Sequence, residues 1–462
     1  MGCTSAPRAC FGCPGGSDAS RLALSGRFRF LQCPENRRNV QKEREFKAAV
    51  SPAKPLAWWV AALLALCLTI NFIDRLVLAT VAPTLLSQLH LSNTEYSYIV
   101  FAFMLGMTLG QIPAGSFIDR VGSRLGLPSI LAGWSFSNMA QALAQSVSSF
   151  SGLRFLMGFF ECGNYSAGVK TVGEIFPAEQ RALALGVFDS GSLLGSVIAP
   201  PLVVYIETRF GWRHAFFLPS LAGLVWIVPW LYSARMEPAS RQSGSNLDPP
   251  AKTSVRHLLR LRQTWGVIVM RSLSGPLAQF YWYWLPLYLV RGRGLNLKTM
   301  AGFASLSYLM GGCGQIGGGY LSGFLIRQRW TVDRARKTTF LIGALLAAIC
   351  TFLAPWSPST FHATLLIGLG ILGVNVMANH VIAVITDVFP EPTLARVTGV
   401  TGMGEGLVNM AMTLFTGIVV DRLSWFPVFS VAALMPMGSL AGPLFLVRRC
   451  QRVDREVVVA SR

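Results

Sequence analysis

From about residue 57 to residue 447 the chain alternates long apolar runs with short polar stretches. Twelve runs can be delimited, at 57–83, 95–118, 124–146, 149–176, 181–207, 213–234, 263–290, 299–326, 337–356, 361–388, 394–420 and 425–447. About 20 apolar residues suffice to cross the hydrocarbon layer as a helix. Helices are the expected form because each backbone amide must find its partner inside the segment when lipid surrounds it. The pattern therefore predicts an all-α polytopic membrane protein with twelve transmembrane helices. The longest internal polar stretch, Ser233 to Arg262, contains Pro238, Pro249 and Pro250 and separates six runs from six. The expected organisation is an N-terminal six-helix half (56–234), a linker (235–262) and a C-terminal six-helix half (263–447). Polar, basic tails occupy 1–55 and 448–462. The first lacks an apolar core of signal-peptide length and is expected to be disordered.

Composition agrees with this pattern. Of 462 residues, 52% are hydrophobic and 13% charged, against about 25% charged in soluble domains. The net charge of +19 does not point to nucleic acid, because the basic residues gather in alternate connections. One set is basic: Arg120 to Arg124, Arg256 to Arg262, Arg327 to Lys337, and Arg448-Arg449. The other, His90–Glu95, Gln145–Ser149 and Ser357–Thr360, is mostly short and less basic, with Arg209, Arg213, Arg291, Arg293 and Lys298 as exceptions. Basic loops face the cytoplasm, so both tails are expected there, in a bacterial inner membrane. Nine cysteines show no framework, and Cys10-Phe-Gly-Cys13 has no second pair at zinc-site spacing. No phosphate-binding loop and no channel filter is recognisable, so an enzyme, an ATP-driven pump and a channel are set aside, and no cofactor or metal is expected.

Charge inside the apolar runs narrows the function. Asp74 and Arg75 lie in the first run, Arg154 and Glu161 in the fourth. A charge at the bilayer centre costs at least ~2.5 kcal/mol, and such residues usually serve a substrate or ion path. Arg154 and Glu161 are two helical turns, ~10.5 Å, apart on one face. Asp74 and Arg75 are adjacent and point in different directions. Cross-pairing of Asp74 with Arg154 and of Glu161 with Arg75 is the expected arrangement, either as a titratable anion site or as two structural ties between helices.

The connection after the second run reads Gly115-Ser-Phe-Ile-Asp119-Arg120-Val-Gly122-Ser-Arg124. Its glycines permit close helix approach, and its acid and two arginines can pair to lock one conformation. In a twelve-span chain this resembles the signature of the major facilitator superfamily. The equivalent place in the second half, Gly319 to Arg327, lacks the acid. Asn71-Phe72-Ile73-Asp74-Arg75, Gln111-Ile112-Pro113, Arg154 with Glu161, and Glu174-Ile-Phe-Pro177-Ala-Glu-Gln-Arg181 resemble the anion:cation symporter branch, nearest to bacterial hexuronate and aldonate transporters. Arg262 to Gly266, Trp284-Leu285-Pro286 and Gly317 to Lys337 strengthen the likeness, which covers about residues 58–440. It begins only near Trp58, so Met1 could lie upstream of the native start.

The resemblance implies the major facilitator fold and proton-coupled import of an organic anion, a sugar acid, by alternating access of two halves around a midplane site. It implies that Asp74 and Glu161 take up protons with Arg154 beside them, and that Arg75 helps bind the substrate carboxylate. Sodium in place of protons stays open. So do export or facilitated passage of a more hydrophobic anion and a non-transporting sensor. A monomer is expected. Candidate substrate contacts besides Arg75 are Asn71, Gln111, Lys170, Asp189, Ser192, Tyr281, Asn379 and Asn409, with Asn375, Tyr283 and Gln279 also polar in apolar surroundings. His380 reads as structural. Gly115, Asp119, Arg120, Gly122 and Arg124 form the expected gate. Departures from the sugar-acid pattern are Phe72 and Met107, where tyrosines are usual, Asp189, where an asparagine is usual, and Glu405.

Overall fold

The computed structural model describes residues 55–233, 255–390 and 393–447. Most of the expected linker and both tails, with Cys3, Cys10, Cys13, Cys33 and Cys450, lie outside the described residues.

Twelve spans follow one another among the described residues: α1 (Pro55–Gln88), α2 (Asn93–Val121), α3 (Ser123–Ala140), α4 (Val147–Glu161, resuming as Gly163–Ile175), α5 (Ala178–Phe210), α6 (Trp212–Ser233), α7 (Arg262–Leu287), α8 (Leu297–Arg327), α9 (Val332–Leu353), α10 (Thr360–Val388), α11 (Leu394–Arg422) and α12 (Trp425–Ser439). Seven of these helices are individually long and apolar enough to cross a membrane, and α2 makes an eighth if its two limbs, bent by 50° ahead of Pro113, count as one span. The others depart for reasons visible in their residues. The fourth span is interrupted at Cys162 and carries Arg154, Glu161 and Lys170, α3 is only 18 residues long with four serines, Asn138 and Arg124, α7 carries Arg262 and Arg271, and α8 is rich in glycine.

Several helices outrun their apolar runs. The first run predicts an end at Pro83, yet α1 continues to Gln88, and α5 passes through Pro200 and Pro201. A proline in a soluble helix interior costs ~3 kcal/mol. Between packed membrane helices the freed carbonyls find other partners and the helix persists.

Association follows the small residues. A Cβ on Gly106 of α2 would collide with the Phe155 carbonyl of α4, and one on Gly158 of α4 with the Phe103 carbonyl of α2. Gly191 of α5 lies equally close to the Ala65 carbonyl of α1. Without a hydrophobic drive inside lipid, such close backbone approach supplies the packing that holds helices together.

The packing repeats with an offset of six helices. The pairs α1/α5, α1/α6, α2/α4, α3/α4 and α3/α6 recur as α7/α11, α7/α12, α8/α10, α9/α10 and α9/α12. Between the two sets, α2 packs on α11, α5 on α8 and α1 on α7, a pattern that maps onto itself under the same offset. Sequence carries a trace of the repeat. The fourth span runs out in Glu174-Ile-Phe-Pro177 and the tenth in Asp387-Val-Phe-Pro390, with Phe176 and Phe389 both extended, at φ −100° and −103°. Each proline forces the residue before it out of the helical region, which ends both spans alike.

Candidate functional site

The fourth span brings Glu161 against α1. Arg75 Nε donates to Glu161 Oε1 at 2.7 Å and Nη2 donates to the same oxygen, with the Arg75 side chain 11% exposed and that of Glu161 fully buried. The guanidinium also lies over the rings of Phe72 at 4.8 Å, Phe103 at 5.8 Å and Trp282 at 6.0 Å. Aromatic faces favour a cation electrostatically, so Arg75 has a second set of partners if its carboxylate is neutralised. Glu161 Oε2 has no hydrogen-bond partner, and Asn71 is buried one turn from Arg75.

The second expected pair does not form. Asp74 Oδ1 accepts instead from Asn138 Nδ2 of α3 at 3.0 Å and from Ser220 Oγ of α6 at 3.2 Å, and Oδ2 has no partner. Arg154 is wholly buried over the Phe103 ring at 5.6 Å; its Nη1 contacts Met157 Sδ at 3.5 Å, while Nε and Nη2 have no partner. The cause is rotation. Successive residues are ~100° apart around a helix, so when Arg75 faces the fourth span and α2, Asp74 turns towards α3 and α6. Trp134, Asn138 and Gln141 lie at helical spacing on one buried face, with Gln141 Nε2 donating to Asn138 Oδ1 at 3.0 Å. That polar stripe within an apolar run was the signal that α3 takes part.

Beside the ion pair, between the two sets of six helices, lies a cavity of about 190 Å³. Its walls include Phe72 and Leu68 of α1, Asp189 and Ser192 of α5, Trp282 of α7, Gln315 of α8 and Asn375 of α10. Phe72 and Trp282 meet edge to face at 5.6 Å, and both touch Arg75, so this aromatic pair stands between the guanidinium and the cavity. Asp189 Oδ2 accepts from Gln315 Nε2 at 2.8 Å, across the two sets.

Asp189 and Ser192 therefore line the cavity as expected, and several other candidates do not. Lys170 donates to Asp119 Oδ1 at 2.9 Å and to the Ile118 carbonyl at 3.2 Å. It belongs to the motif end of α2, because it lies more than two turns past Glu161. Tyr281 is buried inside the second set, its hydroxyl 2.7 Å from Thr351 Oγ1, whereas its neighbour Trp282 and Tyr308 of α8 reach the cavity. Asn379 Nδ2 donates to the Gln315 carbonyl, so it braces α8, and Asn375, one turn earlier, takes the cavity position. Asn409 is buried outside the cavity wall, and Gln111 is exposed. His380 is buried, with Nδ1 2.8 Å from the Val376 carbonyl. Glu405 pairs with Arg271 at 2.6 Å, a cation inside the seventh apolar run that sequence reasoning did not single out.

The motif is also arranged differently. Asp119 pairs with Lys170, while Arg120 and Arg124 are exposed. Gly122, at φ +84°, makes the turn from α2 to α3, a backbone that favours glycine. A Cβ on Gly115 would meet nothing within 4 Å. In the second set the corresponding end is tied by Arg336 to Asp387 at 3.1 Å, so its acid comes from α10.

At the opposite end the two sets are joined. Asp421 of α11 accepts from Asn93 N at 3.0 Å, Asn93 Nδ2 at 2.7 Å, Thr94 N at 2.7 Å and Thr94 Oγ1 at 2.6 Å. It caps the first turn of α2, where backbone donors lack intrahelical partners. Tyr96 of α2 adds a bond from its hydroxyl to the Tyr283 carbonyl at 2.8 Å. Towards the motif end, Gly115 of α2, Gly186 of α5, Gly319 and Gly323 of α8 and Gly399 of α11 face open space.

Known proteins share this sequence and architecture. The Major Facilitator Superfamily profile matches residues 64–332 and 329–457. The Hexuronate transporter of Escherichia coli K12 is 31% identical over 83% of this chain and 92% of its own length. The Galacturonate transporter of Dickeya chrysanthemi is 33% identical over 63% of the chain and 89% of its own length. Among solved structures, a bacterial homologue of the lysosomal transporter Spinster superposes with a TM-score of 0.68 at 18% identity, covering 86% of this chain and 96% of that one. A D-xylose-proton symporter gives 0.67 at 16% identity, covering 85% and 98%. With twelve spans packed as two sets of six, a cavity between them beside a buried ion pair, and a family match over most of its length, the chain belongs to the Major Facilitator Superfamily and is a multi-pass membrane transporter, not an enzyme.

Proposed function

We propose that this transporter imports a sugar acid, a hexuronate or an aldonate, together with protons. The observation that carries this reading is the buried Arg75–Glu161 pair beside a cavity between the two sets of helices whose walls carry Asp189, Ser192, Gln315 and Asn375. Relatives named for hexuronate, galacturonate and galactonate support the substrate class.

The coupling follows from competition for one guanidinium. Ionised Glu161 occupies Arg75. Proton uptake by Glu161 removes that partner, and a carboxylate entering past Phe72 and Trp282 takes its place. Asp74, held by Asn138 and Ser220, is the second proton acceptor, and Arg154 supplies positive charge to the same region. Residues 56–234 and 263–447 act as two bodies that rock around the cavity. In the state described here the Asp421 end is closed, and Asp119 with Lys170 belongs to the gate at the other end. Basic loops place that other end, and both tails, in the cytoplasm of a bacterial inner membrane. Each proton carried down the membrane potential contributes ~2.3 kcal/mol per 100 mV.

Thermal unfolding of the purified monomer with hexuronates, aldonates and aromatic acids tests the substrate class. Stabilisation by the sugar acids, lost in Arg75→Ala, is expected. The Phe72 and Trp282 walls favour one second reading, passage of a more apolar anion, and stabilisation by aromatic acids alone would select it.

A further inference from the structure

Asp189 is the one aspartate or glutamate among the residues lining the cavity. No described ion pair includes Asp189: Arg75 pairs with Glu161 and Lys170 with Asp119, and Arg154 lies over the Phe103 ring. Asp189 is held by an amide, Gln315 Nε2 at 2.8 Å. The groups facing it are neutral. They are Tyr165 from the fourth span, Ser192 on its own helix, Gln315 and Tyr308 from α8 and Asn375 from α10, while α1 presents Phe72 and α7 presents Trp282, with Arg75 and Glu161 behind them.

An anionic substrate thus enters a chamber that already holds a carboxyl group. Two negative charges ~6 Å apart at an effective dielectric of ~20 disfavour each other by about a hundredfold in affinity. We propose that Asp189 is a third proton-linked carboxyl, taking up one proton from solution with each sugar-acid anion and carrying it across with the substrate. This rests on the sugar-acid reading above. No covalent bond changes; one proton moves from water to Asp189 on binding and returns to water on release.

The contact across the two sets supports the same conclusion. Asp189 lies on α5 and Gln315 on α8, helices that must slide or part when the sets rock. With substrate bound, an ionised carboxylate would lose its amide donor at that moment beside a second anion, a far more expensive event than in the empty carrier, where no second anion is present. The neutral acid avoids it and can keep a hydrogen bond by donating to the amide oxygen of Gln315. An asparagine at this place would supply a permanently neutral partner. An aspartate supplies one only when protonated, and so makes binding depend on pH.

The test is galacturonate binding to the purified full-length protein from pH 5 to pH 8, read by tryptophan fluorescence, since Trp282 lines the cavity. In Asp189→Asn, affinity at pH 8 should be about a hundredfold higher than in the unmodified protein, the two converging near pH 5. Its dependence on pH should be shallower by one proton, or tenfold per pH unit. Parallel profiles would overturn the proposal. Calorimetry in buffers of different ionisation enthalpy gives a second reading that does not need that variant to fold. Asp74→Asn combined with Glu161→Gln should still take up one proton per galacturonate, and uptake of none would overturn it. Failure of the unmodified protein to bind any sugar acid at any pH would defeat the functional reading and this proposal together. Binding with parallel profiles defeats this proposal alone.

Discussion

Replacing Glu161 by Gln removes the only carboxylate bonded to Arg75 among the described residues while keeping the shape of the side chain. The two hydrogen bonds converge on a single oxygen, and both side chains are nearly or wholly buried. Removing one member of such a buried pair leaves an uncompensated charge at a cost of roughly 3–5 kcal/mol. That cost falls on the empty carrier, which must reorient with a bare guanidinium over Phe72 and Trp282. At ~1.4 kcal/mol per decade, the reorienting empty state is depleted by roughly two to three and a half decades. The loaded carrier is spared, because a substrate carboxylate fills the vacant place. Exchange of internal for external substrate should therefore continue, while net uptake driven by a pH gradient stops. Both are measured on the same proteoliposomes, with labelled galacturonate in counterflow and then under an imposed gradient. Unchanged accumulation in Glu161→Gln would refute the coupling role, and loss of counterflow along with accumulation would mean the pair is structural.

Arg75→Ala should abolish saturable uptake of carboxylates, and a normal affinity in that variant would remove Arg75 from the binding site. Asp421→Ala deletes four cross-set hydrogen bonds, each worth about 1 kcal/mol at this exposed site. The variant should open the Asp421 end, read as faster labelling of a cysteine placed at Ser97, which packs on Gly417 behind the clamp; an unchanged rate would show that the clamp is not the latch. Gly191→Val should lower thermal stability by the equivalent of about 3 kcal/mol or more, because the α1 backbone blocks the new side chain. Gly115→Val, facing open space, should leave the melting temperature of the purified protein near that of the parent.

Much of this structure could be read from the chain because membrane constraints act on single segments. Run length and the need for internal hydrogen bonds delivered the twelve spans, although prolines such as Pro83 hid the true ends. The Arg75–Glu161 pair was legible because an unpaired buried charge is costly and few partners existed. The fate of Asp74 was not, since a one-residue step rotates the side chain towards α3 and α6, where Ser220 is unremarkable in sequence and Asn138 gains meaning only when read with Gln141 as a polar stripe. Trp282 takes the cavity place expected of Tyr281 for the same reason, since the one-residue step of ~100° turns Tyr281 towards Thr351. Lys170 looked like an anion contact from its apolar setting, but its length along the fourth span delivers it to Asp119. The repeat was partly legible in Glu174-Ile-Phe-Pro177 and Asp387-Val-Phe-Pro390, whose spacing matters only once helix packing gives it meaning.

Coupling between sugar acid and proton is tested most directly by uptake of labelled galacturonate into proteoliposomes with an acidic exterior and a clamped membrane potential. Accumulation above the external concentration that collapses on adding a protonophore is the expected result. Equilibration to the external concentration, unaffected by the pH gradient, would contradict proton-driven import.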